Sequence, residues 1–289
     1  MHIKIFMYLC TQNQILKKMK KIIVGFDFSS GSAYAVDLAI DVANKLRCDL
    51  RLVYVKKDEK EDEQPLREEI ERRNAGVAHL LKGITLDYVI RTGKVSQELS
   101  AQASEDNALM VIVGTHGMSG FERNWIGKNT YRTIVESPAP VLSVREDFNF
   151  NKDLEKIIVP IDNSAETRQK LGDAMMMAKA FDSEIYVLGL YTSNSNDIHN
   201  LVNGYISQVD KVLTKNGIRH NVKCVEAVKN LTLTTLEYAS EIKADLIVIM
   251  TEQEKAFSDW LIGNYAQQML RLSNIPILSV RPEQICPKV

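Results

Sequence analysis

Apolar residues in this chain fall into short unbroken runs, separated by stretches in which they recur at helical spacing. Ile22–Phe26 is continuous, as a strand covered on both faces should be. A helix follows, with Val36, Ala39, Ile40, Ala43 and Leu46 on one face. Ser30 or Ser32 is its expected cap. Asp49–Val55 reads as a second strand. Residues 56 to 63 are all charged, which suits a solvated loop or a helix start, and Pro65 suits the first turn of the next helix. Ile84–Ile90, Ser96–Ser104 and Leu109–Val113 give strand, helix and strand. A helix over Lys128–Glu136 and a strand Val141–Val144 close the series.

The series is then repeated. Lys21-Ile22-Ile23-Val24-Gly25-Phe26-Asp27 returns as Lys156-Ile157-Ile158-Val159-Pro160-Ile161-Asp162, 135 residues on. Pro140-Val141-Leu142-Ser143-Val144-Arg145 returns as Pro276-Ile277-Leu278-Ser279-Val280-Arg281, 136 residues on. Leu171, Ala174, Met175, Ala178 and Phe181 repeat the first helix's spacing. In the run Met175-Met176-Met177, Met175 is expected in the core and the others near helix edges. So steady an offset means a duplicated domain rather than a solenoid unit. The expected division is an extension at 1–18, a first domain at 19–147, a linker at 148–153 and a second domain at 154–283. The linker lies in the polar run Asp147–Asp153.

Alternating strands and helices imply an α/β fold: two tandem doubly wound, Rossmann-like domains. Each is expected to be a mostly parallel five-stranded sheet flanked by helices. Such sheets bind ligands outside the carboxyl ends of their strands. Asp27 and Gly114 both stand at such ends.

The bulk numbers narrow the setting. Thirty-six basic residues face 37 acidic ones, so charge suggests neither a nucleic-acid nor a membrane partner. No apolar stretch approaches the ~20 residues needed to span a bilayer. Cys10, Cys48, Cys224 and Cys286 are scattered, without a C-x-x-C pair, so a reducing cytoplasm is the expected setting. Met1–Lys18 has a short apolar patch without a cleavage-site pattern. Translation is expected to begin at Met19, the alternative being an expressed tail.

Candidate chemistry sits after the fourth strand. Residues 114–130 read Gly-Thr-His-Gly-Met-Ser-Gly-Phe-Glu-Arg-Asn-Trp-Ile-Gly-Lys-Asn-Thr. Gly114 and Gly117 leave the strand and Gly127 opens a helix. Glycine admits positive φ and close backbone approach. The free N–H groups of the helix start can then face an anion. The G-x2-G-x9-G spacing resembles the nucleotide motif of the universal stress protein family. The resemblance extends from Met19 to Pro282 as two tandem domains.

That resemblance implies an adenine nucleotide alpha hydrolase-like fold. It also implies ATP or AMP as ligand, with Mg²⁺ accompanying ATP. By resemblance, Asp27 contacts adenine or ribose and Val55 lines the adenine pocket. Gly114, Thr115, His116, Gly117, Gly127, Lys128, Asn129 and Thr130 form the phosphate loop. The alternative for Asp27 is a turn residue, and His116 reads as a loop residue rather than a base. Lys128 departs from the family's Ser or Thr. It can add a positive charge for phosphate or fill the anion site. Without an anion it opposes the helix dipole by ~0.3–1 kcal/mol. Arg91-Thr92-Gly93 is either a surface turn or a rim contributor. Family members pair through their last strands, so Val141–Val144 and Ile277–Val280 are expected to pair within the chain as a pseudo-dimer. A further homodimer is compatible with this.

The second copy reads Met250-Thr251-Glu252-Gln253 at the loop and Gly263-Asn264 beyond it, with two of the three glycines replaced. Side chains and the acids Glu252 and Glu254 then stand where phosphate would come, so a structural or regulatory half is expected. Two other function classes compete. One is a nucleotide-free interaction scaffold. The other is a weak ATP-cleaving or adenylating enzyme, which would carry a Ser-Gly-Gly-x-Asp-Ser-like loop after strand one. Here Asp27-Phe28-Ser29-Ser30-Gly31-Ser32 lacks the paired glycines and the following aspartate.

Overall fold

Residues 21–115, 127–146, 148, 153–227, 230–251, 253–256 and 259–282 are described by a computed structural model. In the first half β1 (Lys21–Gly25), β2 (Asp49–Lys56), β3 (Leu86–Thr92), β4 (Met110–Gly114) and β5 (Val141–Val144) alternate with four helices. These are α1 (Ser30–Leu46), α2 (Glu63–Val77), α3 (Val95–Glu105) and α4 (Lys128–Glu136). In the second half the strands are β6 (Lys156–Ile161), β7 (Glu184–Tyr191), β8 (His220–Glu226) and β9 (Leu246–Met250), then the pair β10 (Gln253–Ala256) and β11 (Asp259–Ile262), then β12 (Ile277–Val280). Its helices are α5 (Leu171–Phe181), α6 (Asn196–Lys215), α7 (Leu231–Ile242) and α8 (Asn264–Leu272).

Within each half all five core strands are parallel. The two five-stranded sheets join edge to edge into one, through the expected pairing of their last strands. The strand order is β3-β2-β1-β4-β5-β12-β9-β6-β7-β8. The join is the antiparallel pair β5·β12, with Leu142 opposite Leu278, Ser143 opposite Ile277 and Val141 opposite Ser279. Each half covers the other's sheet edge, removing two rows of unpaired backbone groups.

The helices lie in two layers. Buried residues of α1, α2, α5 and α6 share one core with strand residues of both halves. Those of α3, α4, α7 and α8 share the other. Thus neither core stops at the junction. On α5, Met177 is fully buried and Met176 only partly, so the expectation that both fill helix edges is corrected for Met177. The reason is that α5 also packs against α1 across the junction, which widens its apolar face.

Polar residues fix several details the pattern left open. Ser29, not Ser30 or Ser32, caps α1 and accepts a hydrogen bond from the Ser32 amide at 3.2 Å. Lys56 ends β2 and is 4% exposed, so the charged run does not begin in solvent. Its ammonium pairs with Glu63 at 2.9 Å. Arg91 is turned onto α3, donating to Glu98 and to Glu105. The hairpin β10–β11 has no counterpart in the predicted series.

At the opposite end of the sheet, Arg51 donates to both oxygens of Asp87 at 2.7 and 2.8 Å and to Asp106 at 2.9 Å. Lys21 joins Asp87 at 2.6 Å. Burial pushes the Asp87 carboxyl up, but the hydrogen bonds from Arg51 and Lys21 outweigh it and hold the group below its ordinary value. A lowered carboxylate stabilises the fold above about pH 4, and that contribution is lost as pH falls through the folded value. Asp87→Asn should cost about 1 kcal/mol at pH 7, a modest figure because the site is solvent-screened. It should also flatten the fall in stability between neutral and acid pH. Urea melts of both proteins at pH 7 and pH 3 check this.

Candidate functional site

The carboxyl end of β1 runs into a tight polar turn. Asp27 Oδ1 accepts hydrogen bonds from the Ser29 amide and hydroxyl. The Asp27 amide reaches the Ser32 hydroxyl at 3.4 Å. This is an Asx-type turn that sets the start of α1. Asp162 makes the same bonds to Ser164 and Thr167 in the second half. This aspartate therefore acts as a turn residue in both halves. Between Asp27 and Ser29, Phe28 is held at φ 62°. That left-handed conformation costs a non-glycine residue about 1–2 kcal/mol. Its ring lies 4.8 Å from Phe26 and 5.3 Å from Tyr54, which keeps it in place. The counterpart in the second half, Asn163, has no such φ.

The end of β4 lies against this turn. A Cβ at Gly114 would stand 2.1 Å from the Gly31 carbonyl oxygen. A Cβ at Gly31 would meet the Thr115 carbonyl at 3.1 Å. The close approach that requires glycine at 114 is thus made by α1 itself. Thr115 is buried, and its amide and hydroxyl both donate to the Val144 carbonyl. Thr251 repeats both bonds to Val280. Thr115 therefore aligns β4 with β5 through its side chain.

Helix α4 begins beside the same strand end. Gly127 is its N-cap and supplies no side chain, so the first-turn N–H groups receive no cap from it. The Thr130 hydroxyl donates to the Gly114 carbonyl at 3.0 Å, locking helix to strand. Asn129 and Lys128 are exposed.

These pieces enclose a cleft at the carboxyl ends of β1, β2 and β4. Of the sequence-predicted residues, Asp27, Val55, Gly114, Gly127, Asn129 and Thr130 line it. Lys128 stands outside this lining and Thr115 faces the sheet. His116 and Gly117 lie outside the described residues, as do Glu252 and residues 1–18. Ser29, Ser32, Val53, Val95, Leu99 and Thr133 line the cleft as well, and the sequence reading missed them. Thr133 had a usable signal, since it follows Thr130 by one helical turn on α4. The enclosed part measures about 80 Å³. That is below the ~300 Å³ at which pockets for whole drug-sized ligands begin. The lining is apolar at the β2–α3 side, with Val53, Val55, Val95 and Leu99, and polar at the α1–α4 side. Among the described residues no group of three His, Cys, Asp or Glu could hold a metal ion. No described helix is long and apolar enough to cross a membrane.

In the second half the same place is differently furnished. Met250 stands for Gly114, Glu166 for Gly31 and Ala266 for Thr130. The glycine contact and the helix-to-strand hydroxyl bond are both replaced.

Comparison with known proteins finds one family twice in the chain. The model of the universal stress protein family matches residues 18–145 and again residues 154–281. A universal stress protein of Methanocaldococcus jannaschii is 25% identical over 141 residues, covering 44% of this chain and 82% of the relative. The universal stress protein YxiE of Bacillus subtilis is 24% identical over 145 residues, covering 43% and 98%. A solved universal stress protein from Archaeoglobus fulgidus shares the fold across both halves. Its TM-score is 0.72 at 16% identity, with 91% of this chain and 99% of that chain covered. Matched twice, over nearly the whole of each half, the chain belongs to the universal stress protein family as a tandem two-domain member.

Proposed function

We propose that the first domain, residues 19–147, holds one adenine nucleotide in this cleft. In this reading the second domain, residues 154–283, is structural or regulatory, joined through 148–153. The carrying observation is the convergence of Asp27, Val55, Gly114, Gly127, Asn129 and Thr130 at the carboxyl ends of β1, β2 and β4, beside the start of α4. Adenine packs on the apolar side, against Val55 and its neighbours. Phosphates take the first-turn N–H groups of α4, which the helix dipole favours. The exposed Lys128 ammonium then serves as a phosphate partner from the rim. His116 and Gly117 complete the loop, and Thr115 holds its strand in place. Mg²⁺ arrives on the triphosphate, since it binds through few protein ligands and keeps several waters. Strain at Phe28, absent from its counterpart Asn163, supports the same assignment. The role is that of a cytoplasmic nucleotide-binding protein of stress response, with no residue assigned to catalysis.

Calorimetric titration of the full chain with Mg·ATP should show about one nucleotide bound per chain. Lys128→Ala should weaken ATP binding about tenfold and AMP binding less, the size of one charge-assisted hydrogen bond. Absence of heat, with no co-purified nucleotide to displace, would leave the scaffold reading. Single-turnover phosphate or pyrophosphate release above background would favour the weak enzyme.

A further inference from the structure

The first domain carries a second groove, between α1 and α2 over β1 and β2. Phe26, Ala33, Val36, Leu52 and Val77 give it apolar walls, and Asp37, Arg73 and Asn74 give it polar groups. Its volume is about 220 Å³, short of the ~300 Å³ where drug-sized pockets begin. The groove exists because α2 is polar beneath: Ile70 is its one buried residue, whereas α6 buries Val202, Ile206, Val209 and Leu213. The second domain also closes the equivalent space directly. Arg168 occupies the position of Ala33, stacks 4.0 Å over the Tyr205 ring and donates to Gln208. Gly172 stands there in place of Asp37.

One polar atom in the open groove is buried without a partner, and two charged side chains stand exposed beside it. The Oδ1 atom of Asn74 is buried without a hydrogen-bond partner among the described residues. An acceptor left so is costly. The Asp37 carboxylate, on α1, has no hydrogen bond or ion pair among the described residues. Arg73, on α2, lies 5.7 Å from the Phe26 ring and reaches Glu69 only at 3.7 Å. A negative and a positive group thus stand on opposite helices above an apolar floor. Partial burial and then Asp41 push the Asp37 carboxyl up, and Arg73 offsets this only in part. A cation placed there is favoured.

We propose that this groove binds a small apolar α-amino acid. Its ammonium meets Asp37 and the Asn74 oxygen, its carboxylate meets Arg73, and its side chain fills the space among Phe26, Val36, Leu52 and Val77. The groove adjoins the nucleotide cleft at Phe26 and otherwise has its own lining. The full chain is titrated with leucine and phenylalanine, and with 3-methylbutylamine and 4-methylpentanoate, which each keep one of leucine's two charges. The zwitterions should bind, and each single-charge analogue should bind about tenfold more weakly or worse. Ala33→Arg, which copies the second domain, should abolish binding while the melting curve persists. Asp37→Asn should weaken binding about tenfold and carries the test if Ala33→Arg does not fold. No binding of either amino acid overturns the proposal. So does equal binding of the amine or the acid alone, or full binding by Ala33→Arg. A parallel Mg·ATP titration of these variants keeps failure here distinct from failure of the nucleotide reading.

Discussion

Gly114→Ala is expected to destabilise the chain by about 3 kcal/mol or more, with no nucleotide present. The added Cβ would sit 2.1 Å from the Gly31 carbonyl oxygen and 2.4 Å from its carbon. Both are backbone atoms, so no rotamer change relieves the clash. Either α1 lifts from β4 or the end of β4 bends away. α1 buries nine of its residues, so lifting it exposes much of one core. Gly31→Ala is the comparator. Its Cβ would meet the Thr115 carbonyl at 3.1 Å, which a shift of a few tenths of an ångström accommodates, and a loss of about 1 kcal/mol is expected. Denaturant melts of both variants decide the matter. A Gly114→Ala protein as stable as the parent, but unable to bind nucleotide, would show that the glycine serves the ligand alone.

Leu278→Ala is expected to cost about 3 kcal/mol and to weaken both halves. Leu278 and Leu142 face each other across β12 and β5, and both are fully buried. Removing buried methylenes without collapse costs about 2–5 kcal/mol. Both leucines belong to a core that contains residues of α1 and α5 alike. Amide exchange should therefore accelerate at Met110–Gly114 in the other half as well as at β9. A melt that splits into two steps, the first half keeping its parent midpoint, would show that the halves fold independently.

Much of this architecture was legible because it rests on local rules. Continuous runs such as Ile22–Phe26 and Val141–Val144 became central strands, shifted by a residue or not at all. Lys128–Glu136 matched as a helix to the residue. The steady offset between copies announced the duplication, and the chain's last strands in each half paired as expected. What escaped depends on contacts far apart in sequence. Nothing near Gly114 indicates that Gly31 is its neighbour. Three serines crowd the start of α1, and only the turn made by Asp27 selects Ser29 as the cap. Lys56 reads as solvated until Glu63 is seen folding back to it. Residues 253–262 have no alternation of apolar and polar side chains, so the hairpin there had no pattern to betray it. Within the cleft, the strand ends and the helix start were legible, while Val95 and Leu99 enter only through the packing of α3.

The β5·β12 pairing also changes what the sequence is free to do. In an isologous homodimer one patch must complement itself, and every substitution is felt on both sides of the two-fold. Here the two sides are encoded separately, though the local symmetry about Leu142 and Leu278 survives. The sides have already diverged. The Ser143 hydroxyl donates to the Ile277 carbonyl at 3.4 Å, whereas the Ser279 hydroxyl is buried without a partner among the described residues. A covalent partner is present at fixed stoichiometry and does not dissociate on dilution. One copy can then exchange the residues at Gly114 and Thr130 for Met250 and Ala266 and still supply the strand that completes the other's sheet.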